Sequence, residues 1–267
     1  MHLLAHISDP HIDGTERASE RATRVMDYVR SLPQQPDAIL VTGDIAHNAE
    51  PAEYEEAARI FAATGPEQPV IMTPGNHDAR APYRKVLLDE GGGESGGESD
   101  GEGAGAAIAT DAPVNALHHL RGLALLACDS SIPNRGEGRL APETLAWITD
   151  ALDSLAPGTP ALLAFHHPPV RLHHPYIDGI MLQNGKELEA LIADRPQVLA
   201  TLVGHAHTPA ATTFAGRPLL IAPGVHTTLN LAWQGDDHPV TRDLPPALAF
   251  HVIDDDRRLT THFRTVP

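Results

Sequence analysis

The sequence predicts an α/β fold made of a single domain, residues 1–267. Segments with the periodicity of helices and of strands alternate over most of the chain, a pattern typical of a sheet flanked by helices. Apolar residues make up 42% of the 267 residues, enough for a large buried core. Residues 211–267 contain strand-like runs without an intervening helix, so we expect this last part to be mainly β with antiparallel pairing.

Three pairs of strand and helix are expected before residue 90. Apolar residues at spacings of three and four run from Ala18 to Leu32 and predict a helix that ends at Pro33. Pro51, a residue type favoured in the first turn, predicts the start of a second helix. The third pair ends at Asp89. The predicted strands are residues 2–7, 38–42 and 70–73.

Residues 91–105 (GGGESGGESDGEGAG) contain eight glycines and no large apolar side chain. Such a segment cannot offset the entropy lost on ordering by burying apolar surface. A phosphate-binding glycine loop would instead open a helix directly after a strand. We therefore predict a flexible loop within the domain.

The alternation continues after this loop. Strands are predicted at residues 123–128, 161–165 and 198–203, and helices from Pro142 and from Gly185. The strand-like runs of the last quarter are residues 219–222, 229–233, 247–253 and 259–263.

The composition limits the classes of function. The net charge of −16 disfavours binding of a long polyanion such as nucleic acid, so any affinity for phosphate must come from a local positive centre. The single cysteine, Cys128, excludes an internal disulfide and a thiolate metal cluster. No apolar run approaches the roughly 20 residues of a membrane span, and no basic stretch precedes an apolar one at the start. We expect a cytoplasmic protein without membrane contact.

Five short motifs carry potential metal ligands, and each follows a predicted strand. Because the carboxyl ends of parallel strands meet at one edge of a sheet, we expect these side chains to gather in one site. Imidazole and carboxylate ligands suit manganese, iron, cobalt or zinc. The motifs are D-P-H at Asp9 to His11, G-D at Asp44, G-N-H-D at Asn76 to Asp78, H-H-P-P from His166, and G-H-A-H at His205 to His207.

Taken together, the five motifs resemble the signature of the calcineurin-like metallophosphoesterases. That signature is D-x-H, G-D, G-N-H-D or G-N-H-E, a histidine after a strand, and G-H-x-H, in this order. The resemblance implies a four-layer αββα sandwich, with two mixed sheets face to face, helices outside and two metal ions at one sheet edge. Two departures are the proline inside D-P-H and the missing glycine in G-D-I-A-H-N, which leaves His47 or Asn48 near the metals as a loop residue rather than as a ligand.

Carried over motif by motif, the resemblance implies seven metal ligands. Asp44 would bridge the two metals, since a carboxylate can share its charge between two cations. His167 is expected to pack or to support its neighbour, because the first histidine of the pair is the family's ligand. The ligands of one metal are Asp9, His11 and His207, and those of the other are Asn76, His166 and His205.

The resemblance also implies the reaction, which is hydrolysis by attack of a metal-bound hydroxide on phosphorus. His77, beside the ligand Asn76, would contact the phosphoryl oxygens or protonate the departing alkoxide. Segments such as H-I-S-D and Y-I-D-G-I-M-L-Q-N-G resemble the class III cyclic-nucleotide phosphodiesterase branch, which also contains glycerophosphodiesterases. His226 in P-G-V-H is either a substrate contact or a turn histidine.

The leading hypothesis is thus a phosphodiesterase for a small diester, a 3′,5′-cyclic nucleotide or a glycerophosphodiester. The alternatives are a phosphomonoesterase of broad specificity, a nuclease, and a non-catalytic scaffold that keeps the fold. The remaining histidines, among them His6 and His251, are expected to be packed or to lie on the surface. Members of the family often form homodimers or higher homo-oligomers through C-terminal elements, for which residues 229–250 are the candidate here.

Overall fold

Two mixed β-sheets form the middle of the molecule in a computed structural model that describes residues 1–62, 68–90, 111–235 and 239–267. The first sheet has the strand order β13–β12–β1–β2–β3. Its strands β1, β2 and β3 are parallel, whereas β12 is antiparallel to both β1 and β13. The strands are β1 (His2–Ile7), β2 (Ala38–Thr42), β3 (Val70–Thr73), β12 (Ala247–Ile253) and β13 (Leu259–Thr265).

The second sheet has six strands in the order β4–β5–β6–β7–β9–β8. Its four inner strands are parallel, and an antiparallel strand closes each edge. The strands are β4 (Ala116–Leu120), β5 (Leu123–Ala127), β6 (Ala161–Ala164), β7 (Val198–Val203), β8 (Ala210–Phe214) and β9 (Arg217–Ile221). A short ribbon pairs β10 (Thr228–Leu229) with β11 (Val240–Thr241).

Three apolar clusters define four layers. Leu4, Leu40 and Ile71 of the first sheet pack against residues such as Leu162 and Leu202 of the second, which places one core between the sheets. The other two clusters lie on the outer faces, under helices. The predicted αββα sandwich is therefore confirmed. The helices are α1 (Glu16–Arg30), α2 (Pro51–Ile60) and α3 (Arg80–Leu87) on the first sheet, and α4 (Pro142–Ser154), α5 (Pro175–Gly179) and α6 (Gly185–Ala193) on the second.

Helix α1 shows how the sequence positions these layers. The Thr15 side chain accepts a hydrogen bond from the Ala18 N–H and so begins the helix. The apolar stripe predicted from the spacing is buried against the first sheet, as expected for an amphipathic helix. Its buried members are Ala18, Ala22, Val25, Met26 and Val29.

The structure corrects some local predictions. The prediction of a strand at residues 229–233 is wrong, because β10 ends at Leu229 and a 3₁₀ turn follows at Ala232–Gln234. Strand β4 and helix α5 were not predicted. The turn from β4 to β5 places Arg121 and Gly122 at positive φ, the geometry of a two-residue hairpin, so the R-G pair between two apolar runs was the available signal.

The loop predicted at residues 91–105 lies outside the described residues. None of the helices within the described ranges is long and apolar enough to cross a membrane.

Candidate metal centre

The seven predicted ligands meet where the two sheets present the carboxyl ends of their parallel strands. Strands β1, β2 and β3 lead to Asp9, His11, Asp44 and Asn76, while β6 and β7 lead to the three other histidines. Backbone hydrogen bonds tie these loops together across the sheets, for example from His226 N–H to the Asp9 carbonyl at 3.1 Å. The side chains of the five motifs therefore lie together at one edge of the sheets, as the sequence predicts.

Four of the seven residues form one group, whose ligand atoms lie within 4.8 Å of one another. His11 Nε2 is 3.3 Å from Asp44 Oδ2, and His207 Nε2 is 3.3 Å from Asp9 Oδ1. The two imidazole nitrogens, His11 Nε2 and His207 Nε2, are 3.1 Å apart. Two carboxylates and two imidazoles thus point at one small volume, a donor set that suits a transition metal.

The other residues converge on the opposite side of Asp44. His166 Nε2 is 3.4 Å from Asp44 Oδ1, 3.1 Å from Asn76 Oδ1 and 3.1 Å from His205 Nδ1. The two oxygens of Asp44 therefore face different groups, Oδ2 towards His11 and Oδ1 towards His166. This is the arrangement that a carboxylate shared by two cations requires.

The Asp9 carboxylate has one oxygen without a hydrogen-bond donor. Its Oδ2 accepts from Ser8 Oγ at 2.6 Å and from the His205 N–H at 3.1 Å, but the buried Oδ1 accepts none. A buried carboxylate oxygen without a partner is costly unless a cation compensates it. Oδ1 lies 3.3 Å from His207 Nε2, where a proton on His207 or a metal ion held by both residues would compensate its charge, so the residues present fit a metal ion at this position.

Hydrogen bonds to neighbouring loops orient two of the imidazoles. His166 Nδ1 donates to the Thr42 carbonyl at 2.8 Å, and His207 Nδ1 shares a hydrogen bond of 2.7 Å with Thr227 Oγ1, in which either group can donate. Because a carbonyl can only accept, Nδ1 of His166 carries a proton, and the neutral ring presents its Nε2 lone pair to the other ligands. The bond to Thr227 fixes the orientation of the His207 ring. Thr227 was missed by the sequence analysis, since no local pattern links it to His207.

Backbone strain is concentrated at the ligands. Left-handed φ angles are uncommon for residues other than glycine and persist only where surrounding contacts enforce them. Such angles occur at Asp9 (52°), His11 (43°), Asp44 (50°), His205 (69°) and His207 (53°). Strain at five of the seven residues indicates that this site, and not the stability of the loops, determines the local conformation.

Two glycines allow the loops to approach so closely. A Cβ at Gly43, whose φ is +77°, would lie 2.3 Å from His166 Nδ1. A Cβ at Gly75 would lie 2.2 Å from Asp44 Oδ1. The glycines of G-D and G-N-H-D are therefore required by the packing of the ligands themselves.

Comparison with known proteins agrees with this geometry. The profile of the family described as calcineurin-like phosphoesterase matches residues 2–209. This chain belongs to that family. A probable cyclic nucleotide phosphodiesterase of Rhodococcus erythropolis is 32% identical to this family member over 240 residues, covering 86% of this chain and 73% of the relative.

Two other comparisons extend the likeness over the full chain. A glycerophosphodiester phosphodiesterase, GpdQ, of Enterobacter lignolyticus is 28% identical over 261 residues, covering 93% of this family member and 86% of the relative. Among solved structures, a dimetal phosphatase from Danio rerio superposes with a TM-score of 0.68 at 14% identity and covers 100% of this chain and 96% of that one. At this identity the superposition shows a shared fold only.

A cavity of about 220 Å³ opens beside the ligands of this phosphoesterase. His77 lies in its wall, where its Nδ1 donates to the His47 carbonyl at 2.8 Å and its backbone N–H donates to Asp44 Oδ1 at 2.9 Å. The Nε2 atom of His77 is left for a ligand of the cavity. Other lining residues are His226, Thr227, Tyr176, Ile180, Leu229, Val240 and Arg242.

His47 and His226 surround the same cavity. The ring of His47 stacks on that of His77 with centroids 4.9 Å apart, and its Nδ1 is 3.2 Å from His11 Nδ1. Burial, followed by the charge of Arg17, lowers the pKa of His226 to about 4, so this ring is neutral near pH 7. Its buried Nδ1 has no hydrogen-bond partner in the described residues. The structure thus places His47 in a loop beside the predicted ligand His11.

Two further clusters of three histidines lie within ligand distance of one another. One comprises His11, His47 and His77, and the other comprises His166, His167 and His205. Neither contains a carboxylate to compensate the charge of a cation. In the second cluster, His167 Nδ1 forms a 2.8 Å hydrogen bond with Ser130 Oγ, and its buried Nε2 has no hydrogen-bond partner in the described residues. The carboxylate-containing arrangement around Asp44 is thus the better metal centre.

The carboxylates and imidazoles polarise one another. Burial opposes ionisation of Asp44, but the imidazoles of His166 and His11 outweigh it and hold the pKa of this carboxyl well below its usual value. Burial likewise disfavours a charged His166, but the Asp44 carboxylate outweighs it and raises the pKa of His166 to about 9. Without a cation, a proton on His166 therefore compensates the acidic ligands.

We expect metal binding to displace this proton. Burial opposes a charged His207, but the Asp9 carboxylate outweighs it, so the pKa of His207 is raised as well. A ligand imidazole must be neutral, so the apparent affinity for Mn²⁺ should rise between pH 6 and 8 by about tenfold per pH unit for each proton released, and should level off towards pH 9. Calorimetric titration of the metal-free protein in buffers of different ionisation enthalpy measures the number of protons. An affinity independent of pH in this range would contradict the expectation.

Proposed function

We propose that this chain is a phosphodiesterase with two metal ions, which hydrolyses a small phosphodiester such as a 3′,5′-cyclic nucleotide or a glycerophosphodiester. The observation that carries the proposal is the position of Asp44, whose two carboxylate oxygens face two separate groups of ligand atoms. The names of the relatives from Rhodococcus erythropolis and Enterobacter lignolyticus support a diester as the substrate.

Asp44 is the proposed bridge between the two metal positions. Manganese, iron, cobalt and zinc all suit this mixture of imidazole, carboxylate and amide ligands. The ligands proposed for one metal are Asp9, His11 and His207, and those for the other are Asn76, His166 and His205.

When bound, a pair of metal ions would supply an activated water and stabilise negative charge on the phosphoryl group. His77 is the proposed catalytic residue. Its ring is held by the His47 carbonyl through Nδ1, which leaves Nε2 to contact a phosphoryl oxygen or to donate a proton to the leaving group. His226 is the proposed substrate contact, because its buried Nδ1 lines the cavity and lacks a partner in the described residues.

The charge of the protein favours a small substrate over a long nucleic acid. In the cavity of about 220 Å³, Ile180, Leu229 and Val240 offer an apolar side to a substituent of the diester. Arg242 also lines the cavity, and its guanidinium group can attract a phosphate. The net charge of −16 would repel a long nucleic acid approaching the same cavity.

Hydrolysis of matched substrates tests the proposal. The purified protein, loaded in turn with manganese, iron, cobalt or zinc, would be assayed on cyclic AMP and AMP, on glycerophosphocholine and glycerol phosphate, and on bis(4-nitrophenyl) phosphate and 4-nitrophenyl phosphate. We expect kcat/KM for each diester to exceed that for its monoester. Faster turnover of the monoesters would indicate a phosphomonoesterase, and hydrolysis of none would indicate a scaffold.

A further inference from the structure

A chain of hydrogen-bonded polar side chains crosses the first sheet and ends at the Asp9 carboxylate. It passes through one residue each of β13, β12, β1 and β2, which are neighbours in the sheet. The successive contacts are Thr261 Oγ1 to His251 Nδ1 (2.8 Å), His251 Nε2 to His6 Nδ1 (3.0 Å), His6 Nε2 to Thr42 Oγ1 (2.8 Å), Thr42 Oγ1 to Ser8 Oγ (2.9 Å) and Ser8 Oγ to Asp9 Oδ2 (2.6 Å).

This chain lies on the face of the sheet that is otherwise apolar. His6 and Thr42 follow Leu4 and Leu40 by two residues, so they share the face that packs against the second sheet. His6, His251, Thr42 and Ser8 are all fully buried. Burying polar groups in an apolar layer brings no stability that leucine or valine would not also provide, which points to a role beyond packing.

The direction of every hydrogen bond follows from the charge at one end. The ionised Asp9 carboxylate can only accept hydrogen bonds. The Ser8 hydroxyl lies 2.6 Å from Asp9 Oδ2 and 2.9 Å from the Thr42 carbonyl oxygen, and it donates to the carboxylate because a hydrogen bond to an anion is stronger. Ser8 Oγ then accepts from the Thr42 hydroxyl, and Thr42 Oγ1 accepts from His6 Nε2–H.

The imidazoles of His6 and His251 also donate their hydrogen bonds in the direction of Asp9. Burial, with the charge of His251 as a smaller cause, holds the pKa of His6 well below its usual value, and burial lowers the pKa of His251 to about 3. Each neutral ring has one donor and one acceptor. His6 Nδ1 therefore accepts from His251 Nε2–H, and His251 Nδ1 accepts from the Thr261 hydroxyl. All five donors point towards Asp9.

We propose that His6 and His251, acting through Thr42 and Ser8, are positioning residues that hold Asp9 for metal binding. The chain engages Oδ2 of Asp9, and this fixes the carboxylate plane so that Oδ1, which accepts no hydrogen bond, faces His207 and the metal position. Because the donors align in one direction, each bond polarises the next and strengthens the hold on the carboxylate. The inference rests on the proposed metal site, and it assigns a role to two histidines remote from the ligands.

Calorimetric titration of Mn²⁺ into the full-length, metal-free protein tests the proposal at Thr42. Thr42→Val keeps the shape of the side chain and its backbone carbonyl contact to His166, but it removes the hydroxyl that links His6 to Ser8. We expect Mn²⁺ to bind about 10- to 100-fold more weakly, the usual effect of losing a residue that orients a ligand. Thr42→Ser restores the hydroxyl and should restore affinity close to the wild-type value.

Thr73→Val is the matched control. Thr73 is the partner of Thr42 in the neighbouring strand, is equally buried, and has a hydroxyl without a hydrogen-bond partner in the described residues. The substitution makes the same chemical change in the same layer but leaves the chain of hydrogen bonds intact. It should leave the affinity for Mn²⁺ unchanged.

A double-mutant cycle tests whether the remote histidine acts through Thr42. His6→Asn keeps an amide near the position of Nδ1, within reach of His251, but is too short to reach Thr42. If both residues act through the same chain of hydrogen bonds, the double variant should bind Mn²⁺ with the affinity of whichever single variant binds it more weakly. Thermal unfolding of each metal-free variant verifies that it is folded.

Two results would overturn the inference, namely wild-type affinity in Thr42→Val or losses of affinity that multiply in the double variant. If the wild-type protein itself binds no Mn²⁺, the proposed function fails together with the inference. If the wild type binds and Thr42→Val binds equally well, only the inference fails.

Discussion

Replacing Asp44 by Asn is expected to weaken binding of both metal ions by more than about 100-fold. The amide has the shape of the carboxylate but lacks the negative charge that two adjacent cations share. Its nitrogen also replaces one of the two oxygens that face His11 and His166. Since loss of an orienting residue alone weakens metal binding by about 10- to 100-fold, loss of the shared ligand should exceed about 100-fold.

Metal content and calorimetry on the purified Asp44→Asn variant measure this effect. Asp27→Asn makes the same chemical change on the exposed surface of α1, where the Asp27 side chain is 67% exposed, and should keep both metals. Two equivalents of metal retained with wild-type affinity by Asp44→Asn would show that this carboxylate is not the bridge. Loss of one metal alone would assign Asp44 to a single position.

The positions of the proposed ligands could be predicted from the sequence because each one follows a buried strand. Apolar runs define β1, β2, β3, β6 and β7, and strands in parallel sheets end at a common edge. The family resemblance, carried over motif by motif, then implied two sets of ligands. The residue types alone would have left any single motif, such as the G-D at Asp44, without a definite meaning.

Residues that support the ligands could not be predicted in this way. Thr227 orients His207 from a loop 20 positions along the chain, and His251 approaches His6 from the opposite end of the sequence. Such contacts depend on strand order, here the insertion of β1 between β12 and β2. Periodicity predicts that a strand is buried, but it contains no information about which strand lies beside it. The sequence accordingly predicts only that His6 and His251 are packed or lie on the surface, and the hydrogen bond between them is seen only in the structure.

His77→Ala should separate catalysis from metal binding. The His77 ring belongs to neither ligand group around Asp44, and its backbone N–H, which donates to Asp44 Oδ1, remains in the variant. Both metals should therefore stay bound. If His77 Nε2 donates a proton to the leaving group or holds a phosphoryl oxygen, kcat should fall by about 10²- to 10⁴-fold on the best diester.

Leaving-group dependence distinguishes the two roles of His77. A 4-nitrophenolate leaves without protonation, so loss of a proton donor should slow bis(4-nitrophenyl) phosphate much less than a diester with an alkoxide leaving group. Loss of a phosphoryl contact should instead slow both substrates to a similar extent. His119→Ala is the control for removing an imidazole, because His119 is exposed and pairs with Ala124 near the start of β5, at the sheet edge opposite to the ligands. A His77→Ala protein that has lost a metal would instead place His77 in the ligand set, through its cluster with His11 and His47.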